Sequence, residues 1–170
     1  MSGLAEFVCN FSPDLNDFKI ASFCESISQN SLEVWTFNTA NYGQTYLFAV
    51  WFYQKYASSN NVRSLLNNGK VGRYAIQEFA HETFEDTISK WLCALYINAY
   101  TDVNSPFGTY QIDLLRYAQN GIAKHVSQYP ATLQFSVKPS TAEYIEFSSG
   151  QGKKLNITLP AGIRCYEVHR

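Results

Sequence analysis

Charge is scarce in this chain. Asp, Glu, Lys and Arg together supply 16% of the residues, against roughly 25% in an average soluble domain. The formal net charge is −1 and the sequence pI is near 6.3. That balance excludes a general polyanion binder, which carries a basic excess; any nucleic-acid contact has to rest on a local patch. Long apolar runs are missing too. The most apolar stretch, Tyr46 to Tyr53 (YLFAVWFY), falls far short of the ~20 residues that cross a bilayer, so no membrane partner is expected. The N-terminus, MSGLAEFVCNF, has neither a cationic start nor a long apolar segment, and so does not read as a secretory signal. Cys9, Cys24, Cys93 and Cys165 are scattered, with no C-x-x-C pair. Free thiols in a reducing compartment are therefore expected rather than a disulfide scaffold. Asn156-Ile-Thr matches a glycosylation acceptor, which matters only in a secreted chain.

Catalytic signatures are absent as well. The chain has no G-x-G-x-x-G, Walker loop, H-E-x-x-H or G-x-S-x-G. None of His81, His125 and His169 has a second ligand at zinc-binding spacing. No cofactor and no metal is expected.

Apolar material, by contrast, is plentiful. Hydrophobic residues reach 46% and aromatic residues 16% of the 170 residues, enough for one well-filled domain. With so few charges, part of that surface is expected to lie between subunits.

The spacing predicts an α+β fold in a single domain. A helical body of about four to five helices is expected over about 12–129, and an antiparallel β meander or set of hairpins over about 131–169. Ser12-Pro13-Asp14 has the chemistry of a helix start, followed by Ile20, Phe23, Cys24 and Ile27 on one face. LEVWTF, residues 32–37, fits either a strand or a helical turn. Residues 44–57 are apolar nearly all round and predict a central helix. A short piece over 62–66 follows. Residues 72–100 carry one helical stripe through Ile76, Ala80, Phe84, Ile88, Trp91, Leu92 and Leu95. Ser105-Pro106 repeats the cap-and-proline start, and Tyr110, Leu114, Ala118, Ile122 and Val126 continue as a further stripe. After Pro130 the period changes to two. Leu133/Phe135/Val137, Tyr144 to Phe147, Leu155/Ile157/Leu159 and Ile163 to Val168 predict four short strands.

Two charge features stand out. His81, Glu82, Glu85 and Asp86, with Glu78 one turn earlier, would share helix faces at spacings of four. The sharp interpretation is an acid–base site on the His81/Glu85 face. The plain one is a solvated helix face on which Glu85 supports His81 and Asp86 precedes Lys90 by four. The second feature is a segment, Val34 to Gln77, with no Asp or Glu at all. It carries Lys55, Arg63, Lys70 and Arg73 among ten aromatic residues, while residues 1–33 hold five acids and only Lys19. Cations neutralise phosphates and aromatic rings stack on unpaired bases. These four are the candidate contacts to single-stranded RNA; as ordinary surface charges around a core they would look the same. Gly150-Gln-Gly-Lys-Lys154 is a lesser anion-contact candidate, or a solvated turn.

The Asn- and Tyr-rich composition resembles that of viral coat proteins, with no family motif beside it and no residue role carried over. The first expectation is therefore a non-enzymatic subunit that self-associates into a homo-oligomer. It would be a capsid or coat protein, cytoplasmic or in a virion, with single-stranded RNA as a candidate partner and its acidic N-terminal third facing the basic middle of a neighbour. The alternative is a binding module with an aromatic-lined pocket between helices and strands, for a small ligand or a protein. An enzyme using the His81/Glu85 face, hydrolase-like, comes third.

Overall fold

In the computed structural model, residues 16–57, 62–67, 69–100, 112, 114–117, 122–149, 151–152 and 154–167 are described. The helix starts expected at Ser12-Pro13 and Ser105-Pro106 lie outside these, as do Cys9 and His169. The described helices are α1 (Asp17–Cys24), α2 (Thr39–Tyr56), α3 (Val62–Asn67), α4 (Arg73–Ala80) and α5 (Phe84–Tyr100). Single 3₁₀ turns stand at Ile27–Gln29 and Leu114–Arg116. Two strands follow, β1 (Ala123–Val126) and β2 (Tyr144–Phe147). The mostly helical body of about five helices agrees with the sequence pattern, and the strands are fewer than it predicts.

The helix α2 is the central one, as its all-round apolar sequence implies. It buries Tyr46, Leu47, Val50 and Trp51 together with both flanks. Its start is fixed by polar side chains. The Asn38 side-chain oxygen accepts from the Asn41 amide at 2.8 Å, satisfying one of the N–H groups a helix leaves unpaired. Asn41 Oδ1 in turn accepts from the Thr36 amide (2.9 Å) and hydroxyl (2.7 Å), and Gln44 donates to the Asn30 carbonyl at 2.7 Å. This network holds residues 30–38 as a non-regular connection, so LEVWTF is neither strand nor helix.

Helix α1 lies directly on α2. A Cβ at Gly43 would sit 2.1 Å from the Lys19 carbonyl oxygen, so only glycine permits this approach. Helix α5 closes the core with Phe84, Ile88, Trp91, Leu92 and Leu95. Trp91 stacks on Phe23 of α1 (6.1 Å between centroids) and meets Phe48 of α2 edge-on (5.3 Å). These favourable aromatic geometries tie three helices to one indole.

The stripe over 72–100 is not one helix. His81 takes the left-handed conformation (φ 57°) and ends α4, its amide donating to the Gln77 carbonyl at 2.9 Å. Thr83 then starts α5: its hydroxyl accepts from the Asp86 amide (3.1 Å) and donates to the Asp86 carboxylate (2.6 Å). Thr83-x-x-Asp86 thus works as a variant of the capping box. The stripe survives because Ile76 and Ala80 of α4 pack against the same core as α5.

The C-terminal part corrects the sequence expectation most. β1 falls at residues 123–126, where the pattern predicted the end of a helix through Ile122 and Val126. Apolar ends flanking Lys124-His125 suit either structure, and pairing decides it. Ala123 lies opposite Tyr144 and Val126 opposite Phe147, in parallel. Lys124 pairs with Glu143 (2.5 Å) and His125 with Glu146 (3.3 Å). The sheet is a two-stranded parallel pair, not an antiparallel meander. Parallel pairing requires a long crossover, and residues 127–143 serve as that connection. Residues 132–137, expected as a strand, are therefore spent on the crossover, and residues 154–167 join no strand among the described residues.

Polar contacts seat this part on the body. Tyr144 donates to the Leu92 carbonyl (2.8 Å) and stacks on Tyr96; Lys138 donates to the Gln29 carbonyl (2.9 Å) and Ser140 to Glu33 (2.7 Å). Arg164 reaches Asp86 at 2.5 Å. Among the described residues no helix is long and apolar enough to cross a membrane.

Candidate functional site

The four cations of the acid-free segment lie between the end of α2 and the start of α4, in three different settings. Lys55 occupies the last turn of α2, half-buried, with its ammonium 5.9 Å from the Trp51 ring centre and 5.7 Å from that of Tyr56. Burial and the nearby Lys90 lower its pKa, while Glu82 pulls the other way. Arg73 opens α4 with its guanidinium 5.1 Å from the Phe84 ring centre. It lies 3.4 Å from Glu33 and also pairs with Glu85. Arg63 on α3 and Lys70, in the stretch before α4, are exposed.

The structure thus holds Lys55 and Arg73 against rings or carboxylates of their own subunit. The Arg73–Glu33 pair also brings an acid of the N-terminal third to a cation of the middle within one chain, where the sequence suggested a meeting between neighbours.

Beside these residues lies a cluster that sequence spacing does not reveal. Glu82, in the turn between α4 and α5, accepts from the Tyr56 hydroxyl, pairs with Lys90, and accepts from Thr87 at 3.2 Å. Burial works to raise its pKa, but the hydrogen bonds from Lys90, Tyr56 and Thr87 outweigh it and hold the carboxyl below its ordinary value. Burial first, and then the same contact, push the Tyr56 phenol well above its usual range. Glu82 therefore stays an anion, pinned as a brace between α2 and α5. A separation of 26 residues between Tyr56 and Glu82 leaves no local signal. Lys90 is eight residues from Glu82 and four from Asp86, so spacing alone favours the wrong partner.

The acid–base interpretation of the His81/Glu85 face needs one continuous helix through both residues, and that helix is interrupted. His81 ends α4 in the left-handed conformation, and the Glu85 carboxylate is held by Arg73. Glu78, Glu82 and Asp86 fall on α4, the turn and α5. Asp86 is held low by the Thr83 hydroxyl and by Arg164. Among the described residues no three His, Cys, Asp or Glu side chains are grouped to hold a metal ion. Cys24, Cys93 and Cys165 are free thiols. Burial pushes Cys24 up to about 12 and Cys93 to about 11, the opposite of what a nucleophilic thiolate needs.

Two clefts flank these groups. One, about 790 Å³, runs between residues 69–71, α4 and the turn at 81–83; Lys70, Val71, Tyr74, Glu78, His81 and Glu82 line it. Val71 and Tyr74 are largely exposed there. The other, about 760 Å³, lies between α1, the turn at Ile27–Gln29 and the two strands, with Phe18, Tyr117 and Tyr144 as its rings and Asp17, Glu25, Arg116, Lys124 and Glu143 as its charges. Of the lesser anion-contact candidate, Gly152 has the positive φ of a turn (75°), and Gly150 and Lys153 lie outside the described residues. The chain matches no family model, no curated protein and no solved structure.

Proposed function

We propose that this chain is a non-enzymatic structural subunit that associates with copies of itself, in the manner of a coat protein. One observation carries this reading. Beyond a filled core, large apolar side chains stand in solvent: Phe18, Phe37, Val71, Tyr74, Leu155 and Ile157 are all half or more exposed, with others along the C-terminal part. Single exposed apolar residues are ordinary, but an accumulation on a chain this poor in charge favours covering by another molecule.

Light scattering of the purified chain across a concentration series, with negative-stain microscopy, tests it. Particles well above 19.3 kDa, with a regular outline, are expected. A single monomeric species at high concentration overturns the proposal.

Contact with single-stranded RNA is a second part of the same proposal. The exposed Arg63 and Lys70, with Tyr74 exposed close by in the sequence, support it. Arg73 and Lys55 contribute less than Arg63, because carboxylates and rings of the subunit already engage them. Assembled material should carry a raised 260/280 nm absorbance ratio. Arg63→Ala should lower that ratio more than Arg73→Ala does; an unchanged ratio defeats this contact while leaving assembly standing. The binding-module reading rests on the cleft between α1 and the strands. A defined small molecule retained in native mass spectra would favour it over assembly.

A further inference from the structure

One side chain of the body is held unfavourably in two ways at once. Phe37, in the connection that enters α2, is 80% exposed, and its backbone is left-handed (φ 58°). That conformation is strained for a bulky residue, and a large ring left in water forgoes its burial as well. The surroundings fix it there. Thr36 donates twice to Asn41, and Asn38 caps α2 while donating to Asn30 at 3.1 Å. The Phe37 ring meets Trp35 edge-on (6.1 Å between centroids), and Trp35 meets Tyr42 of α2 in the same way (4.9 Å). Val34, three residues before Phe37, is 55% exposed. Together these side chains form a rigid apolar knob, flanked in the chain by exposed Thr36, Asn38 and Thr39. Strain that the surroundings enforce collects at functional sites, and a preorganised ring within a polar rim has the build of an interface anchor.

We infer that this knob seats in the cleft between α1 and the strands of a second copy. This rests on the self-association proposed above and names its mode. Knob and cleft are on opposite sides of α1. Phe18, Ala21 and Glu25, which line the cleft, share one face at 3.6 residues per turn, whereas Lys19, with its ammonium 5.6 Å from the Tyr42 ring centre, is on the other. The cleft, about 760 Å³, is of the size that encloses ring-bearing groups, and Phe18 stands 65% exposed in its wall. Charge agrees. In the cleft Asp17 pairs with Arg116 and Glu143 with Lys124, which leaves the Glu25 carboxylate in excess among the described residues. On the knob side the cation is Lys19, and Glu33 of the same connection is matched by Arg73. Area sets the strength. At roughly 200 Å² per aromatic side chain, Phe37 brings about 160 Å² and Phe18 about 130 Å², small against the ~800 Å² per partner of a standard interface. One such contact is weak. Because knob and cleft are different surfaces it repeats head-to-tail, so that an assembly of many copies, and not a lone dimer, is the stable species.

The test uses the full chain, with particle size read by light scattering and fold by urea unfolding at dissociating dilution. Phe37→Asn removes the ring and places at this position a residue that tolerates the left-handed conformation. It should raise the concentration needed for assembly at least about tenfold, while its unfolding midpoint stays level or rises. Phe18→Ser with Glu25→Lys, two exposed side chains of the cleft, should impair assembly to the same degree. Mixed one to one at high concentration, the two variants should move the mean mass toward twice that of the monomer and no further, because one intact knob then meets one intact cleft and nothing can follow. Phe37→Asn that assembles like wild type, or a mixture that stays monomeric, overturns the knob-in-cleft contact and leaves self-association standing. A Phe37→Asn midpoint clearly below that of wild type places the ring's role within its own subunit and overturns the contact too. A wild-type chain that never assembles, with or without a small molecule held in its cleft in native mass spectra, overturns the underlying proposal instead.

Discussion

The helical body and the C-terminal part are held by different forces. In the body, α1, α2 and α5 meet through fully buried rings and branched side chains, with Trp51, Trp91, Phe23, Leu47 and Leu95 at or near zero exposure. In the C-terminal part after β1, no described residue is buried; Ala142 and Tyr144 pack half-buried against the core, and the rest of the attachment runs through ion pairs and hydrogen bonds at the surface. Burial of a large apolar side chain contributes about 1.5–3 kcal/mol, whereas an exposed ion pair contributes about 0–1 kcal/mol. The body therefore has the means to hold its own shape. The outer segments of the C-terminal part do not, and a partner that buries Leu155 and Ile157 would supply what they lack.

The largest break in that comparison is expected at Gly43→Ala. The new methyl meets the Lys19 backbone at 2.1 Å, and backbone cannot step aside as a flexible side chain would. α1 must then move off α2, disturbing Phe23 against Trp91. A loss of about 3 kcal/mol is expected, the upper end of what overpacking costs. It should appear as a lower denaturant midpoint with helical signal lost at lower urea. A Gly43→Ala chain as stable as wild type would mean that the two helices are not so closely set.

How much of this was legible beforehand follows from how local each determinant is. α2 could be read because its apolar residues surround the helix, and α5 because its stripe is long. The break at His81 was missed because Thr83-x-x-Asp86 is a cap embedded in a stripe that stays in register across it. β1 was missed because Ala123 and Val126 satisfy two periodicities at once, and the partner that decides between them is some twenty residues away. The strand-like alternation of 132–137 and 154–159 was recognised, but alternation states only that a segment is fit to pair. Arg73 was picked out as a basic residue without its acids, since Glu33 is forty positions distant. The Glu82 brace had no local signal at all.

A smaller effect, and one with a pH signature, is expected at that brace. Glu82 is held ionised by Lys90, Tyr56 and Thr87, so its pKa is lower in the folded chain than in the unfolded one. The sign follows: its contribution is complete above the unfolded carboxyl value, near 4.3, and is lost as pH falls through the depressed folded value. Glu82→Gln keeps the shape but removes the charge. About 1.5–2 kcal/mol of stability should go at pH 7, the lower end of the range for hydrogen bonds to a charged group. The gap to wild type should narrow in acid below the folded value. A gap of equal size at pH 7 and in strong acid would show that the carboxylate's charge is not what braces α2 to α5.

The smallest effect on the isolated subunit is expected where the exposed apolar side chains are. Leu155→Ser removes a side chain that is 53% exposed, and surface substitutions usually stay within about 0.5 kcal/mol. Measured under dissociating dilution, the unfolding midpoint should hardly move. Measured at rising concentration, wild type should gain stability while the variant lags, because binding to the folded state alone stabilises it by mass action. The two curves then separate with concentration and not with temperature or denaturant alone. If Leu155→Ser is already destabilised by more than about 1 kcal/mol at dilution, the segment is packed within its own subunit, and the contrast between a self-sufficient body and a dependent C-terminal part fails at that residue.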